Sequence, residues 1–92
     1  MSDVASPACA AAARAILDLL ALREPGKTIC PSEAARRIGG DDGFRALMLL
    51  VREAAAGLAA AGQVEVTQHG EPVNIAHVRG PIRLRAAPSR PG

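Results

Sequence analysis

Apolar side chains recur at helical spacing through most of the chain and at alternating spacing in its last third. The strongest helical stripe covers 44–61. There Phe44, Leu47, Met48, Val51, Ala54, Ala55 and Leu58 fall on one side, while Arg45, Leu49, Arg52, Glu53, Ala56 and Ala60 fall opposite. A weaker stripe of Ala12, Ile16, Leu19 and Leu20 predicts a first helix over 8–22, with Arg14 and Asp18 as an outer i,i+4 pair. Pro25 cannot continue that helix, and Gly26 permits the turn that follows. Lys27-Thr28-Ile29 is a short β-prone stretch, suited to an edge strand.

Cys30-Pro31-Ser32-Glu33 has the form of a helix start: Pro at the first helical position, Glu at the third, and Cys where Ser or Thr would ordinarily cap. A brief second helix over 31–38 then buries Ala34, Ala35 and Ile38. Residues 39–43 form the turn, with Asp41 or Asp42 capping the long helix. After Gly62, residues 64–68 alternate as a half-buried strand, and His69-Gly70 offers a reversal. Val73-Asn74-Ile75 would allow local pairing, but 82–85 alternates better, with Ile82 and Leu84 inward and Arg83 and Arg85 outward. The expected wing therefore spans 69–81. The fold class these elements predict is α+β, mainly α: a winged helix-turn-helix with three helices, a short first strand and a C-terminal two-stranded wing.

Length makes this one domain, 8–85, with 1–7 and 86–92 expected to be disordered flanks. At 49% apolar and 22% charged residues, the composition is that of a soluble globular chain. Alanine supplies 20 of the 92 residues, which favours closely packed helices. A single Phe with no Tyr or Trp excludes the aromatic platform on which single-stranded nucleic acid stacks. The net charge of +2 is uneven: residues 1–43 carry −1 and residues 44–92 carry +3. Such an excess permits phosphate binding without demanding it. Ten Arg to one Lys looks like the codon bias of a GC-rich bacterial genome, so arginine by itself does not signal bidentate recognition. No export signal or membrane-length apolar run is visible, which makes the cytoplasm the expected location. Cys9 and Cys30 would stay reduced there, and two cysteines with two distant histidines lack zinc-site spacing. No metal, cofactor or membrane partner is expected.

Two stretches are familiar. Residues 28–36, TICPSEAAR, and residues 80–85, GPIRLR, resemble a family of small bacterial proteins known as domain of unknown function 3253. The segment between them, Leu47-Met48 and then VREAAAGLAAAGQVEVTQHG, is similar to that family as well. The resemblance covers about 12–85 and implies a winged-helix-like fold with no established activity. Phe44 stands where the family pattern suggests Trp, and Asn74-Ile75 where it suggests Asp-Pro.

Charge placement points to duplex DNA as one partner. Arg45 and Arg52 occupy the face that a recognition helix would turn to a major groove, although Leu49 and Glu53 share it. Arg36 and Arg37 would reach the phosphate backbone from the second helix, and Arg79, Arg83 and Arg85 from the wing. The bland alternative is a set of solvated charges on an arginine-rich protein. Leu49, outward between Arg45 and Arg52, suggests instead docking to another protein or to a second copy, though one exposed Leu is ordinary. Cys30 at a helix N-terminus invites a remote redox-sensor reading, for which the sequence supplies no base or resolving thiol; a half-buried cap is the simpler role. His69 and His77 read as loop residues, and the glycines at 39, 40 and 43 lack the Lys-Ser or Lys-Thr of a phosphate loop. No catalytic set is apparent. The expected function is a non-catalytic DNA-binding module, with the interaction or dimerisation module as alternative.

Overall fold

A computed structural model describes residues 7–88; the expected disorder of 1–6 and 89–92 lies outside the described residues. The chain forms helix α1 (Pro7–Ala21), strand β1 (Thr28–Ile29), helix α2 (Pro31–Gly43), a 3₁₀ turn (Phe44–Leu47), helix α3 (Met48–Ala60), and strands β2 (Val64–Gln68), β3 (Glu71–Pro72) and β4 (Arg83–Ala86). The class is α+β, mainly helical, with an antiparallel sheet in the order β1-β4-β2-β3. Pro7 opens α1, and Ala86 closes β4 opposite Val64.

Helices and sheet share one core. α1 supplies Ala12, Ala15, Ile16 and Leu20, α2 supplies Ala34 and Ala35, and α3 supplies Val51, Ala54, Ala55 and Leu58. The sheet closes it with Ile29, Val64, Val66 and Leu84, joined by Ile82 just ahead of β4. Alanine at the helix contacts removes the bulk that would hold the helices apart. Burial of each large apolar side chain contributes about 1.5–3 kcal/mol. Those that are fully buried are Ile16, Ile29, Val51, Ile82 and Leu84.

One carboxylate ties the first half together. Glu33 accepts a hydrogen bond from the Cys30 backbone N–H at 2.9 Å, the reach-back of a capping box. Its other oxygen accepts from the Arg23 guanidinium, which lies beyond the end of α1. The exit of one helix is thereby pinned to the start of the next. The outer pair Arg14–Asp18 also forms, at 3.6 Å.

Four expectations need correction between α2 and α3. The second helix does not stop at Ile38: helical structure runs to Gly43, interrupted at Gly40 with φ 72° and ψ −179°. That conformation is nearly restricted to glycine, and it breaks the helix axis without releasing the chain into a loop. Asp41 and Asp42 therefore fall inside the helical turn after the break and cap nothing; Gly43 stands at the N-cap of the 3₁₀ turn and Leu47 at that of α3, neither with a side-chain cap. Ile38 is not core either, being 36% exposed. Leu47 fills the space beside the end of α2 instead, its Cδ1 lying 2.5 Å from where a β-carbon on Gly39 would stand. The long helix accordingly begins as the 3₁₀ turn over Phe44–Leu47 and becomes α-helical only at Met48.

The two-stranded wing is corrected too. β2 pairs with β4 with Val66 opposite Leu84, but it also turns back at once into β3. His69 and Gly70, with φ of 54° and 82°, supply the two positive φ values of a two-residue hairpin turn. β1 then adds to the far edge of β4, so the expected ribbon is the middle of a four-stranded sheet.

Candidate nucleic-acid interface

The outward side of α3 begins with Arg45 in the 3₁₀ turn. It continues through Leu49, Arg52, Glu53, Ala56, Gly57 and Ala60, of which Arg52 and Ala56 are half-buried. Leu49 is 71% exposed. The opposite side is the core stripe, with Val51, Ala54, Ala55 and Leu58 buried as the periodicity predicts, while Phe44, Leu47 and Met48 pack against the core half-buried.

The loop from β3 to β4 flanks this helix. Its start, Val73 to Ala76, lies across a groove of about 620 Å³ from Ala56, Ala59 and Ala60. Asn74 shapes the loop: its Oδ1 accepts from the Ala76 N–H at 2.9 Å, and its carbonyl accepts from His77 and Val78. An aspartate at this position would accept in the same way. Gln68 holds the loop's far end, its Nε2 donating to the carbonyls of Arg79 at 2.6 Å and Pro81 at 3.1 Å. The roles of Gln68 and Asn74 are not legible in the sequence, because each acts through loop carbonyls or amides that no periodicity reports.

The seven candidate arginines fall into three groups. Arg83 and Arg85 are engaged within the sheet. Arg85 donates from Nε to Glu65 Oε1 at 2.7 Å, and its Nη2 lies 2.7 Å from the same oxygen. Arg83 donates from Nε to Thr28 Oγ1 at 3.0 Å and from Nη2 to the Thr28 carbonyl at 3.4 Å. Both point away from the core as expected, with Arg85 half-buried.

Arg36 and Arg45 form the second group, around Phe44. The Arg36 guanidinium carbon stands 4.1 Å from the ring centroid and that of Arg45 stands 5.4 Å from it. Arg36 also faces Asp41 at 3.7 Å, a pair whose carboxylate side chain is 93% exposed. Phe44 thus serves as an arginine platform as well as a core contact. The adjacency of Arg45 was visible in the sequence; the approach of Arg36 from α2 was not.

Arg37, Arg52 and Arg79 make up the third group, one each on α2, α3 and the β3–β4 loop. Their guanidinium groups form no ion pair, hydrogen bond or ring contact with any described residue. Cys30 is half-buried and accepts a hydrogen bond at Sγ from Ser32 Oγ at 3.1 Å, and His69 and His77 are exposed. Among the described residues no group of three or more His, Cys, Asp or Glu is placed to hold a metal ion, and no helix is long and apolar enough to cross a membrane.

The model of one protein family matches residues 9–87, nearly all of this fold. The chain belongs to the family of proteins of unknown function DUF3253. No curated protein matches it. The DUF3253 match includes α2, α3 and the whole sheet, so every candidate arginine lies within the family region.

Proposed function

We propose that this DUF3253 chain is a winged helix-turn-helix, a non-catalytic module that binds duplex DNA through its phosphates. The order α1-β1-α2-α3-β2-β4, with β1 and β2 on either side of β4, supports the architecture. The observation that carries the binding is the set of arginines without internal partners, Arg37, Arg52 and Arg79, on the three elements that would meet a duplex. An unpaired guanidinium gives up no protein contact when it meets a phosphate, whereas Arg83 and Arg85 would first have to leave Thr28 and Glu65.

The same face limits specificity. Base edges in the major groove are read by Arg, Lys, Asn or Gln, and α3 turns outward mainly Leu49, Glu53, Ala56, Gly57 and Ala60 beside Arg45 and Arg52. The module therefore binds with little sequence preference. Five phosphate contacts, from Arg36, Arg37, Arg45, Arg52 and Arg79, predict a slope of log affinity against log salt of roughly −4 to −5. Fluorescence anisotropy of a labelled random-sequence duplex at low and near-physiological salt tests this. Affinity that is absent at low salt, or indifferent to salt, overturns the reading.

A second reading follows from Leu49, whose 71% exposure in the middle of that face suits a protein contact. Its partner is a second copy or another protein. Sedimentation decides the first case: a dimer that Leu49→Asp dissociates supports it, and a monomer at all concentrations removes it.

A further inference from the structure

The corner between α2 and α3 gathers two cations around the chain's single aromatic ring. Arg36 comes from α2 and Arg45 from the 3₁₀ turn, at 4.1 and 5.4 Å from the Phe44 centroid. The Gly40 break lets α2 fold back so that the residue after Gly43 faces Arg36. Both guanidiniums remain on exposed residues. Neither engages a buried carboxylate. The carboxylate that Arg36 faces, Asp41, is 93% exposed and stands 3.7 Å away, a separation beyond a hydrogen bond.

We propose that Phe44, Arg36 and Arg45 form a phosphate clamp, in which the ring holds the two guanidiniums ready and Asp41 occupies Arg36 until a phosphate displaces it. This inference rests on the duplex-DNA reading above. Attraction to the ring face restricts each guanidinium without using its N–H donors, which stay available for an anion. With both carbons close to one ring, the cations lie within about 10 Å of each other, a span that covers neighbouring phosphates of one strand at about 3.4 Å of axis each. A phosphate offers several acceptor oxygens to the planar fork of each guanidinium. The loose Asp41 contact is weak in water, so its exchange for phosphate costs little. Phe44 is a positioning residue here, since it touches the arginines and not the DNA.

The test is the anisotropy titration on the full chain and its variants, with a random-sequence duplex as probe and thermal melting as the control for folding. Arg36→Ala and Arg45→Ala are each expected to weaken binding about tenfold at low salt and to reduce the salt slope by about one. Phe44→Leu removes no charge, yet it is expected to weaken binding and flatten the slope; Phe44→Trp, with a better cation-binding face, restores both. Asp41→Asn is expected to tighten binding about two- to threefold by freeing Arg36 and removing a negative charge. Where Phe44→Leu fails to fold, the two arginine variants decide. Wild-type affinity and slope in Arg36→Ala and Arg45→Ala, beside a loss in Arg52→Ala, overturn the clamp and leave DNA binding intact. No binding by the wild-type chain at low salt overturns both.

Discussion

The sheet carries two arginines and the α2–α3 corner four, and the two regions use them in opposite ways. On β4, Arg83 and Arg85 sit two residues apart on one face, where antiparallel register brings Glu65 opposite Arg85 and Thr28 within reach of Arg83. At the corner, Arg36 and Arg45 share a ring, Arg36 has in addition only the loose contact with Asp41, and the guanidiniums of Arg37 and Arg52 have no partner among the described residues. A strand surrounds its side chains with cross-strand neighbours at fixed spacing, so a guanidinium there tends to find a partner. A helix face turned to solvent offers neighbours only along itself. Arginine in the sheet is therefore part of the structure, and arginine at the corner is available for something outside it.

The largest effect should come from removing the break that makes the corner. Gly40→Ala places a β-carbon in a conformation that suits only glycine, with φ at 72° and nothing crowding the position, so the cost is backbone strain alone. Expected destabilisation is about 1–3 kcal/mol, seen as a shifted urea midpoint. Gly43→Ala, at a glycine without positive φ and with open space for a β-carbon, is the control and should shift the midpoint far less. Equal shifts would mean that the break does not hold the corner.

The next comparison sets the two regions against each other directly. Arg52→Ala should weaken duplex binding about tenfold while its melting temperature stays near wild type, because no internal hydrogen bond or ion pair is lost. Arg85→Ala should do the reverse, costing about 1 kcal/mol of stability through the lost half-buried pair with Glu65 and changing affinity little. Melting and anisotropy on the same two proteins measure both quantities. If Arg85→Ala weakened binding as much as Arg52→Ala, the division between structural and available arginines would fail.

How far the sequence foretold this division follows from the range of each contact. The stripe from Val51 to Leu58 and the alternation of Ile82 and Leu84 with the two arginines were legible, since a buried face imposes its period locally. The capping role of Glu33 was legible for the same reason, three residues from its partner. Pairing of Arg85 with Glu65 and of Arg83 with Thr28 was not, because it depends on strand register across 20 and 55 residues. Gly39-Gly40 was ambiguous: two glycines suit a loop and a sharp helix break equally well, and choosing the loop misplaced both aspartates. Phe44 misled for a subtler reason. A half-buried ring satisfies a core stripe on one side and can take cations on the other, and periodicity reports only the first.

The smallest predicted effect concerns the loop between β3 and β4, which belongs to neither region yet carries the unpaired Arg79. Gln68 Nε2 holds that loop by donating to the carbonyls of Arg79 and Pro81, and the contact is exposed to water. Gln68→Ala should therefore lower global stability by only about 0.5–1 kcal/mol, the net worth of a solvent-accessible hydrogen bond. Its local consequence should be larger than its global one, because the amides of residues 76–80 depend on this pin more than the core does. Faster hydrogen exchange confined to those amides is the expected result, accompanied by a modest loss of duplex affinity as Arg79 loses its fixed place. Unchanged exchange would show that the Asn74 turn alone holds the loop. Arg79 would then owe its position to the chain that precedes it and not to the sheet beneath it.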